Sequence, residues 1–240
     1  MKTKYNISSL EVANENNTSL KYLYFWGHNK PKNQLVTKSC FSQWYESSFT
    51  INGTLYKTTE HWMMAQKALL FENHTIYKQI ITCNTAAEAK KMGRQVSGFI
   101  EEKWKQHRNF IVIIGNLHKF NQNRLLGEYL LNTNNRILVE ASPVNSIWGI
   151  GLAQDSQDIQ NVYSWRGLNL LGFVLMEVHD LLRTLVFFNT SYTFTPPWVF
   201  TPEIHPNDLF WKQYNALNDR DQYIYKLCFP EPPVWTSFYN

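Results

Sequence analysis

Ser48-Phe49-Thr50-Ile51-Asn52-Gly53-Thr54-Leu55-Tyr56, followed by Thr58-Thr59-Glu60-His61-Trp62-Met63-Met64-Ala65-Gln66-Lys67-Ala68, decides the fold class of this chain. Two short β-forming runs flank an Asn-Gly pair, which accepts the positive φ angles of a type I′ turn, so residues 48–56 predict a hairpin. Thr58 or Thr59 then offers a hydroxyl to the orphan amides of a helix running to about Phe71. A tight hairpin feeding an apolar helix points to an α+β arrangement with a small β-sheet.

Working outward, helix predominates. Thr85-Ala86-Ala87-Glu88 has the spacing of a capping box, with hydroxyl and carboxylate satisfying each other's backbone amides, and that helix is expected to bend or stop near Gly93. A longer amphipathic stretch runs from Glu101 to about Leu131, with an interruption expected at Gly115. Arg136–Glu140 reads as a short strand. Leu168–Leu185 reads as an apolar helix with Glu177 and Arg183 on its wetter side. Residues 1–20, rich in Asn, Ser and Glu, read as a frayed leader, and order is expected to begin at Tyr22. Seven of the nine prolines fall at or after Pro196, among several tryptophans. Residues 21–188 therefore read as one helix-dominated domain, and 189–240 as an irregular Pro/aromatic-rich C-terminal extension.

Composition narrows the function classes. The 240 residues are 44% hydrophobic and 18% charged, ordinary for a globular protein and unlike a disordered chain. A net charge of +4 suits a phosphate-bearing ligand but falls short of a dedicated duplex-DNA binder. Nine Trp, thirteen Tyr and fifteen Phe supply many rings that pack cores and also stack on bases and sugars. Three widely spaced cysteines, Cys40, Cys83 and Cys228, form neither a disulfide framework nor a CxxC metal site. Without a long apolar run or a signal-peptide core, no membrane partner and an intracellular location are expected.

Three stretches carry candidate chemistry. Glu60 sits in the first turn of its helix, where the dipole favours an ionised carboxylate, and Lys67 returns to nearly the same face seven residues later. A carboxylate and an amine so placed can flank an electrophilic carbon. Spacing alone favours the plainer reading, in which Glu60 caps the dipole and Lys67 is solvated. His61 lacks the second histidine of a zinc-binding HExxH helix, and no metal or other cofactor is expected. Leu138–Gly151 is a strand leading into a loop that holds Pro143, Asn145, Trp148, Gly149 and Gly151, a common place for ligand contacts. Arg94 and Lys119 could hold phosphate and Trp104 could stack on a base, although each alone is more often a surface cation or a core ring.

Taken together these pieces resemble the NADAR (YbiA-like) family over roughly Tyr22 to Arg183. The resemblance rests on Tyr24-Phe25-Trp26-Gly27-His28, Cys40-Phe41-Ser42-Gln43-Trp44, the Glu60-to-Lys67 helix and Met92-Gly93-Arg94. It continues through Trp104, Lys119-Phe120, Gln122-Asn123, Glu140 to Gly151, and Asn169-Leu170-Leu171-Gly172 to Met176-Glu177. The resemblance implies an N-glycosidase that breaks C1′–N on a phosphorylated ribose, either removing ADP-ribose from guanine or cleaving phosphoribosylamino-pyrimidine intermediates of riboflavin biosynthesis. Its expected partners are an ADP-ribosyl or phosphoribosyl moiety, including ADP-ribosylated nucleic acid. By the same resemblance Glu60 stays ionised and stabilises charge at C1′ or takes a proton. Lys67 forms a transient Schiff base or pairs with phosphate. Trp104 and Trp148 stack, Gly149 accompanies Trp148, Arg94 and Lys119 receive phosphate, and Trp26, Gly27, Phe41 and Ser42 contribute to the pocket wall.

Two departures stand out. Asn145 occupies a position where the family usually carries aspartate, and an amide cannot act as a general base. Ile150 replaces a second acid of riboflavin-pathway relatives, which tilts the reading toward ADP-ribosyl substrates. Asn145 also keeps open a catalytically weakened ADP-ribose-binding module.

Overall fold

The computed structural model describes residues 4–16, 18–32 and 35–188, with side chains to Arg183. The proline-rich extension expected over 189–240 lies outside the described residues. The chain divides into two units at His179 and Asp180, and the second unit is described only where the last helix enters it.

The chain begins with a helix rather than a frayed leader. α1 spans Ile7–Glu15, and Asn6 caps it in a reciprocal box with Ser9. β1 (Tyr22–Phe25) follows, then a 3₁₀ turn over Lys38–Phe41. β2 (Phe49–Ile51) and β3 (Thr54–Tyr56) form the antiparallel hairpin, with Asn52 and Gly53 at φ 49° and 75° as the turn demands. α2 (Thr59–Leu70) starts at Thr58, whose hydroxyl accepts from the His61 amide. The sequence reading placed nothing over α3 (His74–Thr82). α4 (Ala86–Gly93) opens with the Thr85/Glu88 capping box and ends where expected.

The long helical stretch breaks at a different residue from the one expected. α5 (Glu101–Gln122) passes through Gly115 unbroken, and α6 (Arg124–Leu131) begins after Asn123. Gly115 serves packing, since a Cβ there would lie 2.3 Å from Trp62 Cδ1. The end of α5 is tied to the hairpin instead. Gln122 exchanges two hydrogen bonds of 2.8 Å with the Thr50 backbone, and the Asn123 side-chain amide donates to the Ser48 carbonyl at 3.2 Å and to the Lys119 carbonyl at 2.8 Å, beside the Asn123 backbone N–H on that same carbonyl.

β4 (Ile137–Glu140) pairs in parallel with β1, in a register that sets Phe25 beside Glu140. The α+β reading holds, with the β-structure divided into two separate two-stranded sheets. α7 (Leu170–Phe188) closes the described chain, and Glu177, expected on its wetter side, is buried and accepts from the Lys4 amide at 2.8 Å. α2 lies at the centre, packed against α3, α4 and α5, with Thr59 to Ala65 all buried. A helix buried nearly all round belongs in a core, and Glu60, Met63, Met64 and Lys67 are the α2 residues that reach a cavity.

Among the described residues no helix is long and apolar enough to cross a membrane.

Candidate active site

The start of α2 is fixed before any ligand arrives. The Glu60 amide and the Thr59 hydroxyl both donate to the Gln43 carbonyl, at 3.0 and 3.1 Å. The Gln43 side chain donates to Asn116, which donates in turn to the Val112 carbonyl one turn back on α5. Lys119, fully buried on the same helix, donates to the Ser42 carbonyl at 2.9 Å. These bonds hold the Ser42-to-Trp44 segment and the first turn of α2 as one wall of a cavity of about 220 Å³.

Around that cavity the chain gathers residues far apart in sequence. α2 contributes Glu60, Met63, Met64 and Lys67; α4 contributes Lys90, with Arg94 just past its end. Trp104 comes from the first turns of α5, Glu140 from the end of β4, and Asn145 and Trp148 from the loop beyond it. The expected acid–amine pair therefore does share one cavity, with tryptophans on its walls.

Glu60 is 3% exposed, and among the described residues its Oε1 has no hydrogen-bond partner. Burial pushes its carboxyl up to about 7, although Lys90, a hydrogen bond from the Trp44 indole and Arg94 all pull the other way. The dipole at the start of α2 favours the anion by roughly 0.3–1 kcal/mol at an exposed site, too little to offset full desolvation. Burial therefore works against the ionised form that the resemblance implies for Glu60, and the neighbouring Lys90, Trp44 and Arg94 work for it.

Glu140, a residue that sequence reasoning quoted without a role, is the second buried carboxyl of the cavity. Its Oε2 is likewise without a partner among the described residues, and burial followed by the charge of Glu60 pushes it up to about 7, against the pull of Lys90. The two glutamates are eighty positions apart, so no local pattern could have paired them.

Lys67 is half-buried. Its Nζ donates to the Gly93 carbonyl at 2.9 Å and lies 4.3 Å from the centre of the Phe99 ring. Burial lowers its pKa, with Glu101 opposing. Asn145 turns its Oδ1 back on its own loop, where it accepts from the amides of Ile147 (3.2 Å) and Trp148 (3.0 Å). That local turn sets the Trp148 ring on the cavity wall.

Other expected residues lie elsewhere. Lys119 cannot receive phosphate, because it is sealed beneath Ser42 and over the Tyr45 and Phe120 rings; burial lowers it to about 8. Phe41 is a core ring packed on Phe25, Phe120 and Tyr129, one residue behind the Ser42 wall. Trp26 is exposed at the end of β1 with Gly27 beyond it, and neither lines the cavity. Gly149 is buried behind Glu140, where a Cβ would come within 2.7 Å of the Glu140 carbonyl. Ile150 is fully buried with its amide on that carbonyl, so it does not face the ligand space and carries no argument about substrate. His61 bonds Thr58 and the Cys83 carbonyl, a structural role. Among the described residues no three His, Cys, Asp or Glu side chains gather as a metal site.

Comparison with known proteins shows the family. The NADAR domain model matches residues 24–183. An N-glycosidase of Acanthamoeba polyphaga mimivirus is 43% identical over 67% of this chain and 95% of its own length. An N-glycosidase of Nostoc punctiforme is 31% identical over 61% and 87%. The NMR structure of the Escherichia coli protein YbiA superposes with a TM-score of 0.54 at 24% identity, covering 68% of this chain and 85% of that one, and so speaks for the fold. With the match running from β1 through the cavity to α7, the chain is a member of the NADAR domain family of N-glycosidases.

Proposed function

We propose that the protein hydrolyses the bond between C1′ of a phosphorylated ribose and a base nitrogen, and that its substrate is ADP-ribosylated guanine in nucleic acid or nucleotide. The observation that carries the reading is the unpartnered Glu60 oxygen in a cavity bordered by three basic side chains and three indoles. A buried acceptor left open costs about 1–3 kcal/mol, a cost a catalytic group recovers when a cation develops beside it. Lys90 and Arg94 suit a phosphate, and Trp44, Trp104 and Trp148 suit flat rings.

The size of the cavity suits a phosphorylated ribose, the part that both candidate substrates share. At about 220 Å³ it falls below the ~300–1,000 Å³ of pockets that enclose whole drug-sized ligands. It has room for the reacting sugar and a phosphate, while the base and the rest of ADP-ribose extend past the mouth, as a polymer-borne base requires. Glu60, ionised, stabilises positive charge at C1′. Lys67, whose burial favours the free amine, captures C1′ of the opening sugar as an imine that water then hydrolyses.

The test is incubation of purified protein with an oligonucleotide carrying ADP-ribosyl-guanine, with a phosphoribosylamino-pyrimidine in a parallel arm. Free ADP-ribose is expected, abolished by Glu60→Gln. Release of ribose 5-phosphate alone moves the substrate to riboflavin intermediates. Tight calorimetric binding without release from either substrate leaves a binding module and overturns the reading.

A further inference from the structure

Asn145 removes a carboxylate that the resemblance leads one to expect, and the structure shows where another is kept. Glu140 ends β4, directly beside Phe25 of β1, and its backbone is clamped on both sides. Its amide donates to Asn169 Oδ1 at 3.0 Å, and Asn169 Nδ2 donates to the Leu138 carbonyl at 2.9 Å. Asn169 is fully buried and held at φ 51°, an angle that asparagine tolerates better than most side chains. The Glu140 carbonyl accepts from Ser142 and Ile150, which folds the following loop back against the strand end. Gly149 and Gly172 leave no space for slack: a Cβ on Gly172 would come 2.0 Å from the Leu138 carbonyl and 2.6 Å from the Asn169 amide atoms. All of this rigid bonding engages backbone. The Glu140 carboxyl is left with an open oxygen in the cavity that also holds the open oxygen of Glu60.

We propose that Glu140 is the second catalytic carboxyl, the general acid that protonates the departing base nitrogen while Glu60 remains ionised beside C1′. The proposal rests on the N-glycosidase reading and adds to it a residue and a division of labour. Two carboxyls in one desolvated cavity cannot both ionise cheaply, so near neutrality the pair holds one proton. The surrounding charges decide which one keeps it. Lys90 acts on both, whereas Arg94 and the Trp44 indole act on Glu60. Glu60 thus has the stronger stabilisation as an anion, and Glu140 is raised further by the charge of Glu60.

The step balances. The C1′–N bond breaks with its electron pair staying on the base nitrogen, which takes the proton of Glu140. Positive charge at C1′ faces the Glu60 carboxylate until the Lys67 amine bonds to C1′; the C1′–O4′ bond then breaks with its electron pair on O4′, which takes one proton from the attached nitrogen and leaves a protonated imine. Water then resolves the imine: its oxygen ends on C1′, the amine is freed, and the spare proton returns to Glu140. Asn145 has no share in these transfers, because its Oδ1 is engaged by the Ile147 and Trp148 amides and its amide cannot exchange a proton at neutral pH.

The experiment combines pH-dependent kinetics with ¹³C-carboxyl titration of glutamate-labelled full-length protein, comparing wild type, Glu60→Gln and Glu140→Gln. Glu140→Gln is expected to lower kcat by about 10²–10⁴-fold, the usual reach of a general acid, and to remove the alkaline limb of a bell-shaped profile. In the labelled protein two coupled titrations near neutrality are expected, with Glu140 falling toward the ordinary carboxylate range once Glu60 is replaced. The titration needs no turnover, so a wild type inactive on every substrate overturns the function reading while the carboxyl pair is still decided. Activity of Glu140→Gln within twofold of wild type, or a Glu140 titration indifferent to Glu60→Gln, overturns the proposal.

Discussion

Two sets of buried polar side chains meet at the cavity wall and spend their hydrogen bonds differently. Behind it, Gln43, Asn116, Lys119 and Asn169 each spend their side chains on a named partner, three of them on backbone carbonyls. In front of it, Glu60 and Glu140 each leave an oxygen open. Burial alone does not mark the site, and neither does one open atom, since Arg108 Nε and Asn109 Oδ1 are also without a hydrogen-bond partner away from the cavity; two open carboxyl oxygens gathered in one cavity do. The satisfied group sets positions, and the unsatisfied group is held in reserve for a ligand.

Exchanging the consequences of mutation across that wall would break the distinction. Glu60→Gln is expected to give the largest effect, a loss of about 10³-fold in kcat with folding intact, measured as ADP-ribose release. Lys119→Ala should do the reverse. Leaving the Ser42 carbonyl unpaired and a cavity behind costs on the order of 3 kcal/mol, read from denaturant melts, with the pH profile of the residual activity unmoved. A Glu60→Gln protein that fails to fold, or a Lys119→Ala protein of wild-type stability, would show that the two groups do not differ in kind.

Stability against pH sharpens the same contrast. Both glutamates sit at about 7 in the folded protein against an ordinary 4.5, so the native state binds more protons than the unfolded one between those values. Their contribution is fully present below about pH 4.5 and is lost as pH rises through 7. Between pH 5 and 8 it should fall by on the order of 2 kcal/mol for each carboxyl, and Glu60→Gln should flatten the slope. Gly172→Ala comes next, with overpacking against Leu138 and Asn169 costing about 1–3 kcal/mol. Because it also disturbs the clamp on Glu140, the alkaline limb of activity should shift with it. The smallest effect is expected from Asn145→Asp, which keeps an oxygen for the Trp148 amide and should change kcat by less than about threefold. A large gain there would return the second carboxylate to position 145.

What could be read from the sequence was local. The Asn52-Gly53 hairpin, the Thr58 cap and the Thr85/Glu88 box each lie within a few residues and were recovered by the structure. α1 carried the same kind of signal, Asn6 three residues before Ser9, but its polar composition read as a leader. Gly115 was misread because helix-breaking propensity outweighs nothing when a neighbouring indole needs the space of a missing Cβ. Glu60 and Lys67 could be placed on one face by periodicity, and both do line the cavity. Glu140 and Lys90 could not be placed there: their roles depend on a parallel strand pair and a helix packing, which bring distant positions together. Lys119 failed for the opposite reason, since nothing in one sequence tells a buried, satisfied ammonium from a surface cation.

The seat of Trp62 against Gly115 has one more consequence. Its indole donates to the Ile111 carbonyl at 2.7 Å while the ring edge fills the space over the glycine, so α2 is keyed to α5 both in height and in rotation. Sliding α2 by one residue would drive the ring into the α5 backbone. The floor that carries Glu60 and Lys67 therefore behaves as a fixed datum. Any adjustment to substrate therefore falls to rotation of side chains at the cavity rim, where Lys90 and Trp148 stand, rather than to breathing of the helical bed.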